Sequence, residues 1–297
     1  VPSPSEPAPM PRPVLALLAF LTSATPALAH DGHLHAAVDR RPLSAPAKGG
    51  LFACRLDLMG PALARPWIAA DGTVDPAAKP VVPGAVAWAG SATATVEGDR
   101  RVIRANGLPT TPTGIFPVPR GTEAHRFDPN PNRIAGRAVL LALPAAPTVA
   151  PTPGCLPFGT IGITVTGVAI FNALDADRRD AVANEIFDAC GGHPAPGGVY
   201  HIHGPSPCLP QAEPGRHAPT VGWALDGFAI HGAEDADGQP VAEADLDECH
   251  GHTGPAPQPD GTVRSVYHYH LTGTFPYALG CLRGVVDPML LRRSPGG

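Results

Sequence analysis

Two short strings, Tyr200-His201-Ile202-His203 and Tyr267-His268-Tyr269-His270, carry the most suggestive chemistry in this sequence. On a β-strand successive side chains point to opposite faces, so the two histidines of each string share one face. Two imidazoles at that spacing can close on a single ion, an arrangement that suits copper or zinc. His193 and His252 each follow a Cys-x-Gly step upstream, which places a third imidazole in a loop near each strand. The candidate metal ligands are therefore His193, His201, His203, His252, His268 and His270. A metal-bound imidazole usually gives its other N–H to a carboxylate, and Asp188, Asp226 and Asp247 are the candidates for that supporting role. The plainer alternatives are a turn or cap role for the carboxylates and a network of hydrogen-bonded structural imidazoles. Tyr200 and Tyr267 precede a histidine, face the other side and read as packing residues. Tyr269 is replaced by Ile202 in the first string, which also points to packing.

The elements that hold these strings repeat along the chain. Gly167-Val168-Ala169-Ile170 answers Gly227-Phe228-Ala229-Ile230, and Asp175-Ala176-Asp177 answers Asp235-Ala236-Asp237. Phe187-Asp188-Ala189-Cys190-Gly191-Gly192-His193 answers Leu246-Asp247-Glu248-Cys249-His250-Gly251-His252, and Cys208-Leu209 answers Cys281-Leu282. The repeats run over about 155–209 and 208–282, which implies one supersecondary unit present twice and packed about a pseudo-twofold axis. Apolar runs rich in β-formers, separated by Pro/Gly-rich loops, predict a mainly β, sandwich-like fold with at most one or two short helices. One helix is expected within 175–189, and strands are expected within 81–102 and 137–143. Asp235-Ala236-Asp237-Gly238 reads as a turn, because its glycine comes too early for an EF-hand and no glutamate closes the loop.

Gly (34) and Pro (39) are abundant, but the prolines cluster between the apolar runs, as loops in a folded protein would require. A net charge of -5, with no basic stripe, excludes nucleic acid as a partner. The sequence holds no phosphate-binding glycine loop and no G-x-S-x-G nucleophile elbow. Residues 10–29 read as a signal peptide: Arg12, an apolar run from Val14 to Leu21, and Ala27-Leu28-Ala29 as the cleavage signal. The expected organisation is a leader and signal at 1–29, a His- and Pro-rich flexible segment at 30–50, and a β-rich domain at 51–290. Cleavage after Ala29 would leave His30 as an N-terminal chelating group with His33 and His35 close behind; a mobile histidine-rich tail is the alternative.

Export to the periplasm or beyond the cell makes disulfides the default for the six cysteines, none of which forms a C-x-x-C pair. If the repeats fold alike, Cys190 pairs with Cys208 and Cys249 with Cys281, leaving Cys54 for Cys155. A rival set pairs Cys155 with Cys190 and Cys208 with Cys249, and spacing does not choose between them. Trp223-Ala224-Leu225-Asp226-Gly227-Phe228, Leu246-Asp247-Glu248-Cys249, Tyr267-His268-Tyr269-His270, Phe275-Pro276-Tyr277 and Gly280-Cys281 together resemble the YHYH-domain proteins. Asn106-Gly107-Leu108-Pro109 and Asn130-Pro131-Asn132 extend the resemblance, which runs from about Val81 to Gly284. The chain departs from the pattern in the Ile of its first motif, in Ala229 where the family has Pro, and in His231 where it has Tyr.

The family is named for its motif rather than for a reaction, so it implies export and a β-rich fold, and the residues must supply the chemistry. An imidazole site in an oxidising compartment, with thiolates tied up and no carboxylate evident among the ligands, favours copper over zinc. The expected function is capture or transport of a metal ion. Two alternatives stay open: a copper oxidoreductase or zinc hydrolase with an open coordination position and Asp226 or Glu248 as base, and an extracellular binding module with structural histidines. Whether the histidines build one shared site or two is also open at this level.

Overall fold

The computed structural model describes residues 1, 34–35, 42–56, 59–61, 63–258 and 260–292. The chain divides after Gly32, and the description that follows concerns the unit His33–Gly297. The signal-peptide residues and His30 and His33 lie outside the described residues.

Fifteen strands make up most of the regular structure: β1 (Leu34–His35), β2 (Thr73–Val74), β3 (Ala92–Glu97), β4 (Arg100–Ala105), β5 (Val139–Pro144), β6 (Val149–Gly154), β7 (Thr160–Thr164) and β8 (Ala169–Phe171) in the first part. They continue with β9 (Gly192–Pro194), β10 (Tyr200–Ile202), β11 (Thr220–Ala224), β12 (Ala229–His231), β13 (Gly251–Pro257), β14 (Val263–His270) and β15 (Leu282–Gly284). Three short helices, α1 (Glu123–Phe127), α2 (Ala181–Asn184) and α3 (Pro288–Arg292), are one more than the sequence suggests. The extra count comes from single turns such as α1, which forms because the Thr122 hydroxyl caps the His125 N–H at 3.1 Å. The helix expected within 175–189 is present but lasts only four residues, capped by Asp180 on the Ala183 N–H.

Eight strands form one mixed sheet in the order β13-β14-β12-β11-β7-β8-β10-β9. Read outward from the central antiparallel pair β11–β7, both halves follow the same pattern. In each half an antiparallel neighbour (β8 or β12) pairs in parallel with the histidine strand (β10 or β14), which an antiparallel strand (β9 or β13) then flanks. A register irregularity falls at Thr160/Gly162 in one half and at Thr220/Gly222 in the other. The close approach of the central pair needs glycine, since a Cβ on Gly162 would meet the Trp223 carbonyl and one on Gly222 the Ile163 carbonyl. All five residues of β7 are buried, as expected of a strand covered on both faces.

A three-stranded sheet, β3-β4-β5, packs against this centre, with Ile103 and Leu143 meeting Ile163 and Trp223. The main core gathers Ile161, Ile170, Ile202, Val221, Ile230 and Tyr269 with Leu51, Leu156, Leu271 and Leu282 from the flanking loops and β15. Three disulfides tie these loops down: Cys54–Cys155, Cys190–Cys208 and Cys249–Cys281. This is the pairing that follows from matching the repeats, and it removes the rival set.

Candidate metal centres

Each histidine string presents its imidazoles as the period of two requires. His201 and His203 bring their Nε2 atoms to 3.1 Å, and His268 and His270 lie with ring centroids 4.8 Å apart. The upstream histidines are not in loops as expected. His193 sits on β9 opposite His201, and His252 on β13 opposite His268, because the Cys-x-Gly turn leads straight into a strand that pairs with the string. Register therefore delivers the third imidazole of each group.

The six candidate histidines fall into two groups rather than one. His193, His201 and His203 form the first; His268 and His270 belong to the second, with His217 and Asp235. His252 joins the second group, its Nε2 lying 3.0 Å from that of His268 and 3.1 Å from that of His270. Between β10 and β14 the sheet order interposes β8, β7, β11 and β12. Five inter-strand steps of about 4.8 Å separate the two histidine strands by about 24 Å, too far for a shared ion.

The far ring nitrogens settle what the near ones can do. In the first group His201 Nδ1 donates to the Val199 carbonyl at 3.1 Å and His203 Nδ1 to the Asn172 carbonyl at 2.5 Å. In the second, Nδ1 of His217 donates to Ala218 O at 2.7 Å, that of His268 to Val266 O at 3.0 Å, and that of His270 to Gly232 O at 2.7 Å. A carbonyl can only accept, so each neutral imidazole carries its hydrogen on Nδ1 and a bare lone pair on Nε2. These lone pairs face one another: His201 against His203 at 3.1 Å and His217 against His268 at 3.2 Å. Two acceptors at such a distance repel unless a cation or a proton lies between them.

Carboxylates complete both groups, and they lie outside the two Tyr-His-x-His strings. Glu185 Oε2, buried and without a hydrogen-bond partner, lies 3.4 Å from Nε2 of both His193 and His203. It is the residue that ends α2, and the last carbonyls of that helix are held by Lys79 on Val182, Trp67 Nε1 on Ala183 at 2.8 Å and Arg65 on Asn184 at 2.8 Å. Asp235 reaches the second group from its turn, 3.7 Å from His217 and 3.8 Å from His252. His217 comes from the Pro-rich loop before β11. No strand period marks these three residues, and only Asp235, within a repeated acidic turn, offered a signal.

Burial pushes several of these groups toward their uncharged forms. His203 and His268 are lowered to about 4 and His270 to about 2, while His193 and His201 fall well below the ordinary imidazole value, all chiefly through loss of water. Glu185 is raised well above the usual carboxylate range by burial, with Asp175 and Asp128 adding to it. The residues fit a borderline divalent ion, and all six cysteines are committed to disulfides.

The supporting carboxylates require a correction. Asp188, Asp226 and Asp247 do not back the imidazoles: Nδ1 of His201, His203, His268 and His270 meets a backbone carbonyl, and that of His193 meets the Asn130 side-chain amide at 3.4 Å. Asp188 accepts the Tyr200 hydroxyl at 2.9 Å together with the N–H groups of Gly114, Cys190 and Gly192. Asp247 accepts Tyr267 at 3.0 Å with the N–H groups of Cys249 and Gly251, and Asp226 accepts Tyr269 at 2.6 Å with those of Phe228 and Gly284. Tyrosines adjacent to the candidate histidines point to the opposite face, and the carboxylates are on that face with them. Asp226 is fully buried there, which removes it as a base for a metal-bound water.

Residues 141–242 match the model of a family described as YHYH protein. Over this stretch, about a third of the chain, the protein is similar to that family. The match spans β5 to the turn after β12, taking in the first string, Tyr200-His201-Ile202-His203, and stopping short of Tyr267-His268-Tyr269-His270. Matched YHYH residues thus hold the whole first group, His193, His201, His203 and Glu185, and also His217 and Asp235 of the second. No curated protein and no solved structure matches the chain.

Proposed function

We propose that this protein captures and holds transition-metal ions, copper foremost, at two histidine sites outside the cytoplasm. The observation that carries this reading is the set of Nδ1-anchored imidazoles whose Nε2 lone pairs face one another at 3.1 and 3.2 Å. An ion with bonds of about 2.0–2.1 Å to tetrahedral donors sets those donors about 3.3–3.4 Å apart, close to most separations in the first group, and the second group's nitrogens stand slightly closer. Copper(II) binds nitrogen and oxygen donors more tightly than the other divalent first-row ions, which supports it as the cargo. Ligands at the first site are His193, His201, His203 and Glu185; at the second they are His217, His252, His268, His270 and Asp235. Three disulfides, and the absence of any helix among the described residues long and apolar enough to cross a membrane, fit an extracellular or periplasmic location. We take residues 1–29 as the export signal, 30–50 as a linker and 51–290 as one domain built from two copies of a unit.

Elemental analysis and calorimetry on protein prepared without a histidine tag test the reading. The intact chain should take up two copper ions, and His201→Ala/His203→Ala and His268→Ala/His270→Ala should each take up one. Uptake unchanged in both double variants, or none in the intact chain, defeats the reading.

A further inference from the structure

The two sites have matching backbones but unequal donors. We propose that they select different ions, zinc at the first site and copper(II) at the second. This rests on the metal-binding reading above and divides it.

The first site offers three nitrogens and one oxygen. Its measured edges are 3.1 Å for His201–His203, and 3.4 Å each for His193–His203, Glu185–His193 and Glu185–His203. Three of the four match the tetrahedral edge of about 3.3–3.4 Å. Little at this site can flatten. His201 is stacked on Phe171 with centroids 3.7 Å apart, Phe187 stands edge-on to His193 at 4.9 Å, and the Glu185 backbone is fixed by the donors that hold the end of α2. A closed, four-coordinate N3O set suits zinc, which has no geometric preference of its own to oppose it.

The second site offers four nitrogens and a more distant oxygen. Its nitrogens run in a chain of shorter edges, 3.2 Å from His217 to His268, 3.0 Å from His268 to His252 and 3.1 Å from His252 to His270. These approach the edge of about 2.9 Å that a square of nitrogens around copper(II) would have. Asp235 stands off from this chain of nitrogens, one carboxylate oxygen 3.7 Å from His217 and the other 3.8 Å from His252. A donor set of four imidazoles and one weak carboxylate exceeds tetrahedral coordination and fits a tetragonal copper(II) ion. Its access differs as well, since the His252 side chain is 15% exposed whereas those of His193 and His203 are 4% and 2% exposed.

The test loads metal-free protein with two equivalents of zinc, adds one equivalent of copper(II), removes unbound metal, and reads metal content and the copper electron-paramagnetic-resonance spectrum. The expected product holds one zinc and one copper, with a single tetragonal copper signal coupled to four nitrogens. Glu185→Gln should lose the zinc and leave that signal unchanged. His217→Ala should change the copper signal and keep the zinc. Copper distributed over two distinguishable signals, or a copper signal altered by Glu185→Gln, overturns the division while leaving metal binding intact. Protein that takes up neither metal overturns both.

Discussion

At the scale of single residues, each half of the sheet places a tyrosine, a carboxylate and an imidazole so that the polar chemistry divides between faces. His250 is the exception, because it stands at φ 69° where the first half has Gly191 at φ 71°, a left-handed position that β-carbons disfavour. It is held there by a 2.9 Å contact between Nε2 and the Thr272 hydroxyl, with Glu243 at 3.7 Å. Burial lowers His250 and His231 to about 3. Each is then neutral in the folded protein at pH values where the unfolded chain, titrating near the ordinary imidazole value of about 6.5, is charged. The unfolded state therefore binds more protons, so this contribution is fully present above about pH 6.5 and is lost as pH falls toward about 3. Urea unfolding of the metal-free protein should show a loss on the order of 1–3 kcal/mol per buried imidazole between pH 7 and pH 4.5. His250→Asn, which tolerates the left-handed backbone, should reduce that loss. Equal stability at the two pH values would contradict the assignment of neutral buried imidazoles.

At the scale of elements, the histidine strings were legible because a strand has a side-chain period of two, and the matched repeats offered the observed disulfide set beside a rival that spacing did not exclude. What stayed hidden came from outside that period. Glu185 arrives by way of a four-residue helix whose end is fixed by Arg65, Trp67 and Lys79, more than a hundred residues away in sequence. His217 arrives from a loop, held by its Nδ1 contact to the Ala218 carbonyl. The misreading of Asp188, Asp226 and Asp247 has the same origin: sequence proximity to histidine does not say which face a turn carboxylate reaches. The eight-stranded order was not legible either, since it depends on glycines at 162 and 222 letting two strands approach closely. Cys249–Cys281 closes a loop of sequence separation 32 and holds β15 and its preceding turn beside the start of β13. Replacing both cysteines with serine should cost about 3–4 kcal/mol in unfolding free energy, by the loop entropy returned to the unfolded chain. Denaturant titration checks this, and a loss under about 1 kcal/mol would mean that the sheet, rather than the crosslink, fixes this turn.

For the molecule as a whole, the palindromic order of the large sheet sets the two histidine groups at its opposite ends, with the tightly packed β11–β7 pair between them. They share no side chain, so their contributions to stability should add, as those of distant sites do. An ion that binds only the folded chain stabilises it by about 2.7 kcal/mol when present at one hundred times its dissociation constant. The loaded protein should therefore melt well above the metal-free form, in two separable increments as the sites fill. His201→Ala/His203→Ala should abolish one increment and His268→Ala/His270→Ala the other, each leaving its counterpart unchanged in scanning calorimetry across a metal titration. Loss of both increments from either double variant would mean that the sheet transmits strain from one end to the other. In that case the two sites would have to be treated as one cooperative unit.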